Sequence, residues 1–237
     1  MVTIRASRYA GCLPGDLVTW ALPKPKVAKG LLHAPACDDL AAVAAAICAF
    51  EVMLSRPKGL GDVRLLFTRA EEVGFIGAIA AAKSGTIPKR STLICLEHSK
   101  SMVESPIGGG PIIRVGDRLS IFEPELTARL CAVAEALSTE DKAFQYQRKL
   151  MPGGACEATA FRLYGYFSSC ICLPLGNYHN MDEQDKRIAP ERISVADYHM
   201  LVQLLAAVGR QLPGTEVERD LVSRLDRRFV RERRLLD

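Results

Sequence analysis

The chain has 237 residues, of which 49% are hydrophobic and 24% charged, and this is enough to bury a sizeable core in one large or two small domains. Much of its net charge of +4 comes from residues 224–237, where Arg, Asp and Glu recur at helical spacing, and aromatic residues make up only 6%. This pattern favours a solvated helix face and excludes a nucleic-acid partner. Because no apolar stretch approaches the ~20 residues of a membrane span and no signal-peptide core is visible, we expect no membrane partner and a cytoplasmic protein.

The eight cysteines are scattered along the chain. Several lie in apolar runs such as LICLE and SSCICLPL, which is typical of buried free thiols in a reducing compartment. Cys170 and Cys172 form a C-x-C pair without a matching second pair, and this is a weak signal for a zinc knuckle. The cysteine pattern therefore predicts free thiols.

The first half of the chain predicts alternating helices and strands. The opening contains the strand-like pieces VTIRA and DLVTWAL, interrupted by Pro and Gly. Residues 39–54 are Ala-rich and apolar on nearly all sides, which predicts a buried helix. The β-rich run VRLLFT (63–68) follows, then FIGAIAAAKSG predicts a helix that ends at Gly85, and STLICLE (91–97) predicts a buried strand.

The second half continues this alternation. Its predicted elements are a glycine-rich bend between short strands (105–122), an amphipathic helix (124–139), a strand (142–150), a glycine turn and helix in MPGGACEATAFRLYG, a buried strand (168–175), the polar loop GNYHNMDE and a long helix (194–212). Apolar strands covered on both faces imply an α/β protein, a three-layer α/β/α sandwich with a mostly parallel or mixed central sheet. VRLLFT, STLICLE and SSCICLPL are its predicted central strands.

Acidic residues and one histidine fall where these segments begin or end. They are Asp38, Asp39, Glu71, Glu72, Glu97 and His179. In open α/β sheets the carboxyl ends of the strands gather at one crevice, where sites are built. Carboxylates that converge there would repel strongly without a cation, and Asp, Glu and His are ligand types of Zn²⁺. The pattern therefore favours a metal site.

Each of these positions also has a simpler interpretation. Asp38 or Asp39 alone suits a helix N-cap, because an aspartate oxygen accepts hydrogen bonds from free backbone N–H groups. The adjacent glutamates suit the start of a helix that faces water. Glu97 suits a surface strand end, and His179 a solvated loop imidazole. The order of the residues and their placement relative to the strands favour the metal site.

The sequence resembles the co-catalytic zinc aminopeptidases, especially the glutamyl and tetrahedral branch, over approximately residues 11–210. PACDDLAAVAA is similar to the family's Asp-Asp helix start, TRAEEVGFIGA to its Glu-Glu-Val-Gly segment and LICLE to its strand that ends in an acidic ligand. GGGPIIRVGD, PGGACEATA and GNYHNMDE follow in the family's order. The resemblance implies a metal-dependent hydrolase of peptide N-termini, with a peptide substrate and a homo-oligomeric assembly.

The resemblance also implies residue roles. It makes Asp38 the carboxylate that bridges two divalent ions, with Zn²⁺ in first place and Co²⁺ or Mn²⁺ as alternatives. Glu72 and His179 complete the ligands of one ion, and Glu97 binds the other. Glu71 is the general base that takes a proton from a metal-bound water.

The chain departs from the family in two motifs. The family's Gly-Gly-Thr-Asp-Ala stretch is altered here to GGACEA, which bears on substrate contacts. The early His-x-Asp, which an inserted β domain separates from the Asp-Asp segment, does not occur. We therefore expect residues 1–30 to be a remnant of the inserted β domain or an N-terminal segment that packs poorly. Residues 31–215 are expected to form the peptidase-like α/β domain, and residues 216–237 a charged C-terminal helix. Asp39 is expected to orient the metal ligands by contacting them without binding the metal itself.

Ligand counting then favours one zinc ion over two and impaired activity. Without the early histidine, the second ion keeps only Asp38 and Glu97, although His33 is a candidate substitute. Two alternatives stay open. One is a non-catalytic peptidase-fold protein that binds peptide or metal, or serves as an assembly subunit. The other is a hydrolase of the same architecture that acts on a non-peptide amide, since a fold does not fix a substrate.

Overall fold

A computed structural model describes residues 11, 13, 15–17, 19–58 and 60–236. The predicted strand VTIRA and Cys12 lie outside these residues. The α-helices in the described part are α1 (Cys37–Leu54), α2 (Ile76–Ser84), α3 (Pro124–Glu140), α4 (Glu157–Leu163), α5 (Val195–Gln211) and α6 (Glu218–Glu232). None of these helices is long and apolar enough to cross a membrane.

The strands form one central sheet and two smaller ones. They are β1 (Lys26–Ala28), β2 (Leu31–Ala34), β3 (Thr92–Lys100), β4 (Ile112–Gly116), β5 (Gln147–Leu150), β6 (Phe167–Leu175), β7 (Met181–Asp182), β8 (Arg187–Ile188) and β9 (Glu191–Ser194). The central sheet has the order β3-β6-β4-β5, in which β3–β6 and β4–β5 are parallel and β6–β4 is antiparallel. The other two sheets, β1-β2-β9 and β7-β8, are antiparallel.

Helices cover both faces of the central sheet. Along β6, Ile171, Leu173 and Leu175 point into a core shared with α1, α3 and α5. Cys170, on the opposite face of the same strand, points into a second core with α2 and α4. Both faces of β6 are thus buried, which is why its sequence is continuously apolar and does not alternate. The predicted three-layer α/β/α sandwich with a mixed sheet is confirmed.

Local sequence accounts for the helix bounds. α1 packs closely because its buried positions are small, and Ala42 and Ala45 are fully buried. α2 ends at Gly85, whose φ of 74° lies in the left-handed region that glycine adopts without steric cost. Ser194 caps the N-terminus of α5, because its hydroxyl accepts a hydrogen bond from Asp197 N at 3.1 Å.

One predicted central strand is wrong. β3 and β6 contain STLICLE and SSCICLPL as predicted, but VRLLFT (63–68) forms no strand. Residues 61–68 make no backbone–backbone hydrogen bond within the described part of the chain. Residues 64–68 instead lie across a cavity from residues 92–97 of β3. The composition of this run favours a strand, but a strand also requires a neighbouring backbone to pair with.

Candidate metal centre

A cavity of about 520 Å³ lies between β3 and the start of α1. It brings together five of the six predicted site residues, namely Asp38, Asp39, Glu71, Glu72 and Glu97. Glu157, the first residue of α4, also lines it and accepts a hydrogen bond from the hydroxyl of Thr68. Carboxylates that are far apart in the sequence therefore line the same cavity.

His179, the sixth predicted residue, approaches these carboxylates from the loop after β6. Its Nε2 is 3.9 Å from Oδ2 of Asp38, and its ring stacks on Tyr178 with centroids 4.0 Å apart. The backbone of Asn177 and of His179 is left-handed, with φ of 51° and 54°. This conformation is uncommon for residues other than glycine and is concentrated at functional sites. The His179 side chain is 55% exposed, so it reaches Asp38 from the solvent side.

The backbone of Asp38 is fixed by a carboxylate from another element. Asp38 N donates a hydrogen bond to Oε2 of Glu191 at 3.0 Å. Glu191 begins β9 and is only 3% exposed. Burial raises the pKa of Glu191, and the hydrogen bond from Asp38 N opposes this rise. Glu191 was not recognised in the sequence, because it lies 153 residues from Asp38 and follows no strand-end pattern.

Glu97 already has a cationic partner. Arg114 on β4 places its Nη2 3.5 Å from Oε2 of Glu97, and its Nε donates a hydrogen bond to Oγ of Ser99 at 2.9 Å. Oε2 of Glu97 also accepts a hydrogen bond from the backbone N of His98 at 2.8 Å. Arg114 is 3% exposed, so this guanidinium supplies positive charge inside the protein at the position of the predicted second metal ligand.

His98 is a residue that the sequence interpretation missed. Its side chain is fully buried, and its Nδ1 is 2.9 Å from Oδ1 of Asp39 and 3.7 Å from Oδ1 of Asp38. Within the described residues, these three side chains are the group whose potential ligand atoms all lie within 4.8 Å of one another. Neighbouring residues of a strand point to opposite faces, so a pattern that places Glu97 in the site does not also place His98 there.

The remaining predicted positions are less closely grouped. Glu72 and Glu97 line the cavity without joining the tight group of Asp38, Asp39 and His98. His33, the candidate substitute ligand, lies in β2 opposite Arg192 of β9 and does not line the cavity.

The carboxylates of the cavity carry more negative charge than the described cations balance. Burial, with the charges of Asp38 and Glu157, raises the pKa of Asp39 to about 8. Because 38% of the Asp39 side chain is exposed, water screens part of this repulsion. Burial and then Glu72 raise the pKa of Glu71 to about 7. Carboxylates with raised pKa values that lie beside an imidazole are suited to a divalent cation, whose charge would favour their ionised forms.

The sequence pattern of the M42 glutamyl aminopeptidase family matches residues 5–199 of this 237-residue chain. The chain belongs to this family. The predicted resemblance to the glutamyl and tetrahedral aminopeptidases is thereby confirmed. A comparison with curated proteins finds no match.

Solved structures share the fold of this M42 family member. A TET aminopeptidase from a marine sediment Thaumarchaeota archaeon is 20% identical with a TM-score of 0.65, over 79% of this chain and 52% of that one. The Pyrococcus horikoshii TET1 peptidase, which can assemble into a tetrahedron or a large octahedral shell, is 23% identical with a TM-score of 0.65, over 78% and 52%. An M18-family aminopeptidase from Thermotoga maritima is 16% identical with a TM-score of 0.60, over 78% and 48%. The chain spans about half the length of these structures.

Proposed function

We propose that this M42 family member is a metal-dependent, aminopeptidase-like hydrolase of peptide N-termini. The observation that carries the proposal is that Asp38, Glu71 and Glu72 line one cavity of about 520 Å³, and that Nε2 of His179 lies 3.9 Å from Oδ2 of Asp38. The excess of negative charge in the cavity favours a substrate that presents an ammonium group, which is what a peptide N-terminus offers.

Asp38, Glu72 and His179 are the residues that we propose to hold a divalent ion. Two carboxylates and one imidazole match the donor preference of Zn²⁺, with Co²⁺ or Mn²⁺ as alternatives, and three protein ligands leave a position open. A bound ion of this class lowers the pKa of a water molecule and polarises a carbonyl group. The hydrogen bond from Asp38 N to Glu191 fixes the backbone that carries the shared carboxylate. Asp39 is proposed to orient the ligands beside it.

Glu71 is the proposed general base. Its pKa is raised to about 7 by burial and by the neighbouring carboxylates, so it can accept and return a proton near neutral pH. It is adjacent in sequence to Glu72, which keeps the base next to a ligand while leaving its own carboxylate free. This division of roles accounts for two neighbouring carboxylates at a position where they repel each other.

We expect impaired turnover relative to hydrolases that hold two ions with all their ligands. Glu97, the ligand expected for a second ion from the family resemblance, is paired with Arg114. In two-metal hydrolases both ions stabilise the reacting oxygens, so weakening one position slows the chemical step.

Two further properties belong to this proposal. The described cysteines are free, which supports a reducing compartment, and we place the protein in the cytoplasm. The assemblies of the P. horikoshii TET1 peptidase support a homo-oligomer for this chain. Light scattering coupled to size exclusion tests the subunit number.

Hydrolysis of aminoacyl-p-nitroanilides by the full chain tests the enzymatic proposal. The metal-free protein should be inactive, Zn²⁺ should restore turnover, and Glu71→Gln should lower it by roughly 10²–10⁴-fold while zinc binding persists. Zinc binding without turnover on any aminoacyl-nitroanilide or dipeptide would favour the non-catalytic peptidase-fold alternative. Turnover of amides that carry no free amino group would favour the non-peptide hydrolase.

A further inference from the structure

The Asp38 carboxylate lies between two imidazoles. Its Oδ2 faces Nε2 of His179 at 3.9 Å, and its Oδ1 faces Nδ1 of His98 at 3.7 Å. The same nitrogen of His98 is 2.9 Å from Oδ1 of Asp39. A carboxylate whose two oxygens each face an imidazole nitrogen can share two neighbouring cations with those nitrogens.

The separations around His98 suit the ligands of one small divalent ion. Ligand lengths of about 2.0–2.1 Å in a tetrahedral arrangement place neighbouring donor atoms roughly 3.3 Å apart. The distances from His98 Nδ1 to Asp39 and to Asp38, 2.9 Å and 3.7 Å, lie on either side of this value. The three donor atoms all lie within 4.8 Å of one another, which is compact enough for one shared ion.

The surroundings of His98 also favour a ligand role. The side chain is fully buried, and its Nδ1 lies against the carboxylates of Asp39 and Asp38. Within the described residues its Nε2 has no hydrogen-bond partner, so its polar contacts are those that Nδ1 makes with the carboxylates. Glu97, the rival position, has its charge balanced by Arg114 instead.

We propose that His98 is a metal ligand, and that its Nδ1 holds a second divalent ion of the Zn²⁺ class together with one oxygen each from Asp38 and Asp39. This inference rests on the proposed metal-dependent function, and it raises the expected number of bound divalent ions per chain from one to two. His98 then supplies, from within β3, one imidazole for the second ion, as His179 supplies one for the first.

Zinc stoichiometry of the full chain tests this proposal. Metal-free protein is titrated with ZnCl₂ by calorimetry and with CoCl₂ by visible absorption. The wild type is expected to bind two equivalents, and His98→Asn and His179→Asn one each. Asparagine at position 98 keeps a polar group near the position of Nδ1, so the hydrogen bond to Asp39 is retained while the zinc ligand is lost. The matched control is His199→Asn, an exposed position on α5, which should still bind two equivalents.

The possible results distinguish a failure of the His98 proposal from a failure of the proposed metal-dependent function. Two equivalents in His98→Asn would overturn it and leave His98 a positioning residue for Asp39. A single wild-type equivalent that disappears in His179→Asn but not in His98→Asn would overturn it and leave the proposed function intact. No bound zinc in any variant would contradict both. Loss of the second equivalent in Glu97→Gln, but not in His98→Asn, would place that ion at Glu97.

A second substitution keeps the test decisive if His98→Asn does not fold. In His98→Cys a thiolate replaces the imidazole as ligand. The variant should bind two equivalents and show a sulfur-to-cobalt charge-transfer band that the wild type lacks. A folded His98→Cys protein with one equivalent and no such band would contradict a cation position at residue 98.

Discussion

Arg114 and Glu97 form a buried ion pair, with Nη2 of the guanidinium 3.5 Å from Oε2 of the carboxylate and side-chain exposures of 4% and 16%. The guanidinium also donates hydrogen bonds to the hydroxyl of Ser99 and the carbonyl of His98. These contacts satisfy a charge on β4 that would otherwise be buried and unpaired. A pair of this kind is costly to break from one side, because the remaining partner keeps its charge in a poorly solvated position.

Replacing Arg114 by methionine should therefore lower the free energy of unfolding by roughly 3–5 kcal/mol in the metal-free protein. The loss should be smaller with Zn²⁺, because the Glu97 carboxylate is then free to bind a cation. Thermal unfolding with and without zinc measures both effects. Arg129→Met is the control, since its pair with Glu125 is partly exposed and should contribute less than about 1 kcal/mol. An equal stabilisation by zinc in wild type and Arg114→Met would show that Glu97 does not reach the ion.

The layers of the fold could be predicted where the hydrophobic pattern of a segment is compatible with only one type of secondary structure. The apolar run at residues 168–175 became β6 because only a strand buried on both faces accommodates it. The Ala-rich run at residues 39–54 forms most of α1, because a helix that is apolar on nearly all sides is stable only when it is buried. VRLLFT was not predictable by the same logic. Its side chains favour a strand, but pairing depends on a neighbour that the local sequence does not specify.

The candidate site was predictable in part. Their positions beside predicted strand ends and helix starts indicated a shared site for Asp38, Glu72 and Glu97, and all three line one cavity. The strand-end pattern was only partly right, because VRLLFT before Glu72 forms no strand and Glu97 lies inside β3. His98 and Arg114 were not found this way. The contact of His98 with Asp39 spans 59 residues of sequence and joins β3 to the start of α1. No local pattern in the sequence specifies which residues of two such distant elements meet.

Changing Glu71 to Gln should lower kcat/KM by roughly 10²–10⁴-fold, the usual contribution of a general base. Zinc affinity should stay nearly unchanged, because the neutral amide keeps the size of the side chain and Glu71 is not a proposed ligand. Steady-state kinetics and zinc calorimetry on the same preparation measure the two quantities. Glu51→Gln, at an exposed position of α1, is the control for a charge change outside the site. Retained turnover in Glu71→Gln would assign the base to another carboxylate, with Glu157 the next to test.

Changing His179 to Ala should weaken zinc binding at its site by well over tenfold. The imidazole is the sole nitrogen donor proposed for the ion held by Asp38 and Glu72, and the remaining carboxylates form a poorer Zn²⁺ site. The fold should persist, because the His179 side chain is 55% exposed and little core packing is lost. Competition with a chromophoric chelator measures the affinity. Unchanged affinity, with an unchanged melting temperature, would remove His179 from the ligand set.

The metal-free protein should become less stable as pH rises from 6.5 to about 8. The folded-state pKa values of Glu71 and Asp39 are raised to about 7 and about 8, above their unfolded values near 4. The folded state therefore binds more protons in this interval, and the free energy of unfolding falls as those protons leave. The pKa of His98 is lowered, so its opposite contribution is confined below about pH 6.5.

Melting temperatures in the presence of a chelator, taken from pH 6.5 to 8.5, measure this slope. Glu71→Gln should reduce it, because the amide does not titrate. Saturating zinc should also flatten it, since a bound cation favours the ionised carboxylates in the folded state. An equal slope in Glu71→Gln and wild type would contradict the raised pKa of Glu71.

Asp197 should be required for the glycine-rich loop beside β4. Its fully buried carboxylate accepts hydrogen bonds from Gly108 N at 2.7 Å and Gly110 N at 3.0 Å. Gly110 has a φ of 85°, and a Cβ at that position would lie 2.0 Å from the carbonyl oxygen of Gln145. The loop backbone is therefore packed against Gln145, which leaves it little room to move toward other hydrogen-bond partners. Asp197→Ala leaves two backbone donors unpaired and should lower the free energy of unfolding by roughly 3 kcal/mol. Asp197→Asn, which keeps one acceptor oxygen, should lose less, and chemical denaturation of the three proteins ranks them. Equal stability of Asp197→Ala and wild type would show that water replaces the carboxylate at both glycines.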